Sequence, residues 1–447
     1  MLLEFKTKNY KSFVEEASFS MVAAPKQKGL DYSLMKTKIK GKEIKGLSSS
    51  VIYGPNAAGK TNIIGAMDVL RAIVLRGNIR NSEEKSSPNP AAAALELIPN
   101  NNEMESKPVC FEIEFYEEDG EDHKFKIHYE LEVDLGTFLE EEHQRIILAE
   151  VLEVNGERVF ERAEDLKIEN LKVIKDYLSD ITEQNADSVN EIAKNSLNQE
   201  ELFLTNGFKL IFSPKFTKLI VDWFTNKFMV IYRADSMQLI KRFADPKKKA
   251  IYVEKTTDEA AKLFGINSNA VGYVVSDDEP DAKLYSVFKN MKNKKTTAVA
   301  ADIFESYGTI RFINMFPLVI KAMQTGGTLV VDEFDASIHP MALMSIINVF
   351  HNDDVNIHHA QLIFNTHNPI FLNSNLFRRD EIKFVERDDD THDSVLYALS
   401  DFGTTGDKGV RKHEDYMSKY FISQYGAIKD IDFTPIFEEI LCDEKEG

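Results

Sequence analysis

The sequence is poor in cysteine. Cys110 and Cys442 are its only two among 447 residues, far apart and without metal-ligand spacing. That excludes a disulfide scaffold or a zinc ribbon and reads as free thiols in a reducing cytoplasm. Long apolar runs are missing too, since none approaches the ~20 residues that a membrane-spanning helix needs. The start, Leu2 to Asn9, has a strand pattern instead of a basic segment followed by an apolar one, so no signal peptide is expected. Positive charge is in deficit, with 54 Lys and Arg against 73 Asp and Glu and a formal net charge of −19. A protein that coats nucleic acid with its whole surface is thereby excluded; a local basic strip is not. The absence of repeats and heptads argues against a long coiled-coil arm.

What the chain does contain is centred on Val51 to Leu70. There Gly54-Pro55-Asn56-Ala57-Ala58-Gly59-Lys60-Thr61 fits a phosphate-binding loop, two glycines with four residues between them followed by Lys and Thr. The glycines let the backbone turn its N–H groups toward phosphate oxygens. Lys60 supplies a charge for the outer phosphates of ATP, and the Thr61 hydroxyl suits Mg²⁺. An apolar run, Ser50 to Tyr53, precedes the loop, and helical apolar spacing (Ile63, Ile64, Met67, Leu70, Ile73) follows it. This order sets the loop on a helix N-terminus, where the dipole favours anions.

A second constellation lies far downstream. Gly326 to Val331 reads as a turn and a buried strand, and it ends in Asp332 and Glu333. Beside a phosphate loop, Asp332 is placed to hold Mg²⁺ through water and Glu333 to deprotonate an attacking water. Another strand, Gln361 to Thr366, ends at His367. Hairpin signals fill the middle, at Val109–Tyr116 with Phe125–Val133 and at Ile146–Phe160 around Asn155-Gly156. A helical, charged stretch runs from Arg162 to about Phe228. Two basic runs, Lys241 to Lys249 and Lys289 to Lys295, are either solvated faces or a nucleic-acid strip.

In order, GPNAAGKT, ESYGT, TLVVDEFDASIHP and FNTHNP resemble the ABC-type ATPase heads of SMC-, RecF- and OLD-like proteins, nearest the bacterial group with RloA and AbiL. The resemblance covers Leu2 to about Leu75 and about Ala301 to Ile428. It implies an α/β P-loop NTPase head with an added β-hairpin lobe and a helical insert. Residues 1–95 and 301–447 would form the head, and 96–300 a lobe of its own. It implies that Ser306 and Gly308 belong to a signature loop reaching ATP on an opposite protomer. His339 falls in the D-loop where many heads carry Asp, and His367 is the switch histidine. Glu305, Tyr307 and Thr309 depart from the usual LSGGQ. Partners implied are a homodimer or larger oligomer of heads and a separately encoded nuclease or toxin effector, in antiphage defence. A RecF- or SMC-like repair ATPase is the alternative, and nucleic acid would then meet the basic runs; no membrane partner is expected. Phe384-Val385-Glu386 with Asp388 and Asp390 is too compact for a Toprim nuclease and reads as a charged turn.

Lys60→Ala should lower ATP affinity at least tenfold without unfolding the chain, a charge-assisted contact being worth roughly 1.5–3 kcal/mol. Calorimetric titration beside a circular-dichroism spectrum checks this; unchanged affinity would mean that 54–61 is not a phosphate loop.

Overall fold

The computed structural model describes residues 1–439 apart from 26, 28, 40, 81–94, 103–104, 121–122, 139, 141–142, 180–185, 196, 233–254, 277–278, 291, 293–294 and 405–408. The basic run Lys241–Lys249 and Cys442 therefore lie outside the described residues. Cys110 is a free thiol, and burial with Glu132 beside it pushes its pKa up to about 12, so it stays protonated.

Six strands form the central sheet, in the spatial order Phe228–Ile231, Thr328–Val331, Gln361–Asn365, Ser49–Tyr53, Ile382–Arg387, Ser394–Ala398. The first five run parallel, and Ser394–Ala398 is antiparallel to its neighbour. Parallel strands covered on both faces need continuous apolar runs. Ser49–Tyr53, Thr328–Val331 and Gln361–Asn365 meet that need, being buried at every residue. Alternation then divides them between two cores. Ile52, Val330, Ile363 and Val385 enter one, and Val51, Tyr53, Leu329, Val331, Leu362 and Phe364 enter the other. Helices Tyr307–Thr325 and Pro340–Phe350 cover the second face.

The first face is covered by the helix Lys60–Arg76 and, beyond it, by a seven-stranded antiparallel sheet. Its order is Leu166–Ile168, Glu157–Arg162, Ile146–Val154, Lys124–Asp134, Val109–Glu118, Leu2–Lys8, Ala17–Ser20. The hairpins expected from alternation form, and at Asn155 and Gly156 φ values of 56° and 79° make a turn of the type that the Asn-Gly signal demands. Their setting corrects the separate lobe over 96–300. Val109–Glu118 pairs directly with Leu2–Lys8, Phe5 opposite Ile113, so the sheet crosses the boundary at 95. Phe228–Ile231, from the same segment, is an edge strand of the central sheet. A hairpin with one apolar face must bury it somewhere, and here the available surface is the helix that follows the phosphate loop. The helical expectation for Arg162 to Phe228 holds in part: Leu166–Ile168 is a strand, and helical segments follow from Leu171 onward.

Within 96–300, the helix Lys255–Phe264 and a three-stranded sheet (Ala270–Ser276, Glu279–Lys289, Thr296–Ala300) make a smaller unit against Tyr307–Thr325. Lys289, Lys292 and Lys295 lie at the turn between its last two strands. The acidic stretch after Glu386 is a turn, with Asp388 Oδ1 accepting from the backbone N–H groups of Asp390 and Thr391. Among the described residues no helix is long and apolar enough to cross a membrane.

Trp223, the only tryptophan, is 1% exposed and stacks between Phe115 of the large sheet and Phe228 of the central one, with centroids 3.9 and 5.0 Å away. Its emission and the far-UV circular dichroism should therefore change together in urea, and Trp223→Ala should cost about 3–5 kcal/mol. A tryptophan transition at clearly lower urea than the dichroism transition would show that the large sheet unfolds on its own.

Candidate functional site

Close packing around the loop leaves no room for side chains at its two glycines. A Cβ on Gly54 would lie 2.3 Å from the Val385 carbonyl oxygen, and one on Gly59 would lie 2.7 and 2.8 Å from the hydroxyls of Ser394 and Ser12. Gly59 also has φ 109°, and Ala57 sits at φ 62°. Neighbours pin the loop from outside: Ser394 Oγ donates to the Ala58 carbonyl (2.6 Å), and Asn62 Nδ2 to Ser12 Oγ (2.7 Å). Asn56 and Ala57 are exposed at the tip, whereas Ala58, Gly59 and Lys60 are buried. The helix Lys60–Arg76 starts at Gly59 with no side chain capping it. Its first N–H groups are thus left for an anion.

Lys60 folds back on its own loop, Nζ donating to the carbonyls of Gly54 (2.8 Å) and Pro55 (2.9 Å). Burial pushes its pKa down to about 8, against the pull of Asp332 and Glu333. Next along the helix, Thr61 Oγ1 donates to Asp332 Oδ1 (3.1 Å). The same oxygen accepts from Asn365 Nδ2 (2.5 Å), while Asn365 Oδ1 accepts the N–H of Glu333 (2.5 Å). Three parallel neighbours thus meet at their C-terminal ends, where open α/β sheets place their ligands.

Glu333 leaves the strand at φ 50° with its side chain exposed. Its carbonyl, and that of Asp332 at 3.5 Å, accept from buried Arg311 on the helix Tyr307–Thr325. Thr366 Oγ1 donates to Asp335 (2.6 Å), and His367 follows, exposed. Partial shielding of its ring and the Lys60 cation lower the His367 pKa, despite Asp335, Glu333 and Asp332. At neutral pH it is mostly uncharged, free to accept or donate.

Ser306, Gly308 and His339 form a second group. Ser306 caps the helix Tyr307–Thr325, accepting from Thr309 N–H at 3.1 Å, and is exposed. His339 caps Pro340–Phe350 through Nδ1 and is exposed as well. Gly308 is buried, and a Cβ there would lie 1.9 Å from the Ser337 carbonyl oxygen. Its need for glycine arises inside this chain, where the helix start and the Ala336–His339 turn touch.

The residues fit a nucleotide with Mg²⁺: a cradle closed to side chains, an uncapped helix start, a buried ammonium, and a hydroxyl beside a buried carboxylate. Among the described residues no group of three or more His, Cys, Asp or Glu could hold a metal. A hydroxyl, one carboxylate and substrate phosphates are the usual donors for magnesium. Asn365, Arg311, Ser12 and Ser394 are additions to the residues singled out above. Asn365 was visible as the polar end of a buried strand; Arg311 carried no signal in the sequence.

The family described as "AAA domain, putative AbiEii toxin, Type IV TA system" matches residues 49–373. No curated protein matches. Similar solved structures include the SMC head domain from Thermotoga maritima (14% identity, TM-score 0.32, covering 89% of this chain and 98% of that one). Others are an Smc head bound to the C-winged helix domain of ScpA (12%, 0.39, 89% and 98%) and an Smc head with extended coiled coil bound to the C-terminal domain of ScpA derived from Pyrococcus furiosus (13%, 0.38, 89% and 96%). Scores this low carry nothing about function or assembly. The sheet order, the phosphate loop and the family match give the fold: an α/β P-loop NTPase of the ABC-ATPase type.

ATP must find Lys60 protonated, and phosphate contact raises its pKa again. Affinity should therefore hold level from pH 7 to about 8 and fall above that, by up to about tenfold per pH unit. Titrations with a fluorescent ATP analogue check this, and an affinity level through pH 9.5 would contradict the depressed pKa.

Proposed function

The chain belongs to this AAA-domain family, and from that premise we propose that it is an ATP-driven switch whose heads pair over ATP and separate after hydrolysis. The observation that carries the reading is the junction of Thr61, Asp332 and Asn365 directly beside the loop 54–61. Loop N–H groups and Lys60 take the phosphates, Lys60 exchanging its carbonyl partners for them. Thr61 and Asp332 would hold Mg²⁺, which when bound neutralises charge on the phosphate oxygens. Glu333 takes a proton from the attacking water as its oxygen bonds to the γ-phosphorus and the bond to the β-phosphate oxygen breaks. Asn365 and Arg311 hold the Glu333 backbone for this, and His367 sets a polar contact at the far side. Ser306 and His339 are exposed, which suits a signature loop and D-loop that complete a partner's site.

Within the family we place the chain nearest the RloA- and AbiL-like proteins, acting in antiphage defence by gating a separately encoded nuclease or toxin. The turn carrying Lys289, Lys292 and Lys295 favours the second reading, a DNA-binding repair ATPase. DNA-stimulated turnover without any partner protein would select it.

Glu333→Gln should bind ATP within about threefold of wild type and turn it over at least a hundredfold more slowly. Ser306→Arg should bind ATP and be inactive alone, yet regain part of the turnover when mixed with Lys60→Ala chains. Parallel isotherms and phosphate-release assays decide both. Equal loss of binding and turnover in Glu333→Gln would mean that Glu333 holds the nucleotide instead of acting on it, and no recovery despite subunit exchange would refute the composite site.

A further inference from the structure

Glu305 has a setting that its place in the chain does not announce. It lies immediately before Ser306 and is only 7% exposed. A buried carboxylate is costly unless its oxygens are hydrogen-bonded. Here the donors all come from the three-stranded unit and are uncharged: Ser268 Oγ and Ser286 Oγ each reach Oε1 at 2.9 Å, and the Asn267 N–H reaches Oε2 at 3.2 Å. Ser286 is itself fully buried in the strand Glu279–Lys289.

The covalent path is equally short. Thr296–Ala300, paired with Glu279–Lys289, runs straight into the turn Ala301–Phe304 and then Glu305. Phe304 packs on Phe288 at 4.5 Å, and Phe312, in the second turn of the next helix, stacks on Phe264 at 4.3 Å. That same helix carries Arg311, which grips the backbone of Asp332 and Glu333. Contacts thus link the three-stranded unit to the residue before Ser306 at one end and to the Glu333 backbone at the other. The turn carrying Lys289, Lys292 and Lys295 sits at the opposite end of the Thr296–Ala300 strand, about 17 Å from Ala300 along it at ~3.3 Å per residue.

We propose that Glu305 is a positioning residue for ATP turnover: its carboxylate seats the three-stranded unit on the signature-position loop, so that the unit's placement sets the catalytic geometry. This rests on the ATPase reading above. Glu305 makes no hydrogen bond or ion pair with residues 54–61, so ATP binding should not depend on it.

The test compares wild type, Glu305→Ala, Glu305→Gln and the double variant Ser268→Ala with Ser286→Ala, all as full chains checked for folding. Glu305→Ala and the serine pair should keep ATP affinity within about twofold and lose at least tenfold in turnover. Glu305→Gln keeps an oxygen for both serine hydroxyls and should recover most of it. If Glu305→Ala does not fold, the serine pair decides. Turnover at the wild-type rate in the serine pair, or parallel loss of affinity and turnover, would overturn the proposal. A wild-type chain that binds ATP and never hydrolyses it would instead overturn the ATPase reading.

Discussion

One carboxylate, Asp332, joins parts of the chain that are otherwise distant. Thr61 lies 271 residues before it and Asn365 lies 33 after it, and both donate to the same oxygen. Asp332 is 3% exposed and receives only neutral donors there. Each such bond is worth about 1.5–3 kcal/mol, against a desolvation cost of several for a buried charge. Lys60 is buried close by on carbonyl oxygens, and that burial lowers its pKa. Two opposite charges are thus held near each other without pairing. A metal-bound polyphosphate carries both signs and would complement the two.

The fold makes that arrangement possible because parallel strands end together. Ser49–Tyr53, Gln361–Asn365 and Thr328–Val331 are consecutive in the sheet, and what leaves their C-terminal ends is the loop, Asn365-Thr366-His367 and Asp332-Glu333. Both faces of the sheet are filled, one by the helix of the loop and the other by the helix Tyr307–Thr325. A displacement of either helix therefore reaches the site through packed contacts.

Much of this was legible in the sequence, for reasons that are local. A strand, a Gly-rich loop and a helix follow one another within thirty residues, and Asn155-Gly156 names its own turn. Alternation in Val109–Tyr116 showed that one face is buried, but not against what. Strand partners are chosen by distant segments, so the pairing of Val109–Glu118 with Leu2–Lys8, which ties the middle of the chain into the head, left no local trace. Asn365 and Glu305 matter through what they touch, and their partners lie 19 to 38 residues away. Gly308 looked like a phosphate contact, and its packing on Ser337 gives it a duty within its own chain.

Pairing of two heads over ATP is the central claim, and protein concentration tests it most directly. Turnover per chain should be measured at saturating ATP and Mg²⁺ while the protein is diluted from micromolar to low nanomolar. The account predicts turnover per chain that rises in proportion to concentration at the dilute end and levels off once pairs dominate. Turnover per chain that stays constant down to concentrations where sedimentation finds only monomers would contradict it.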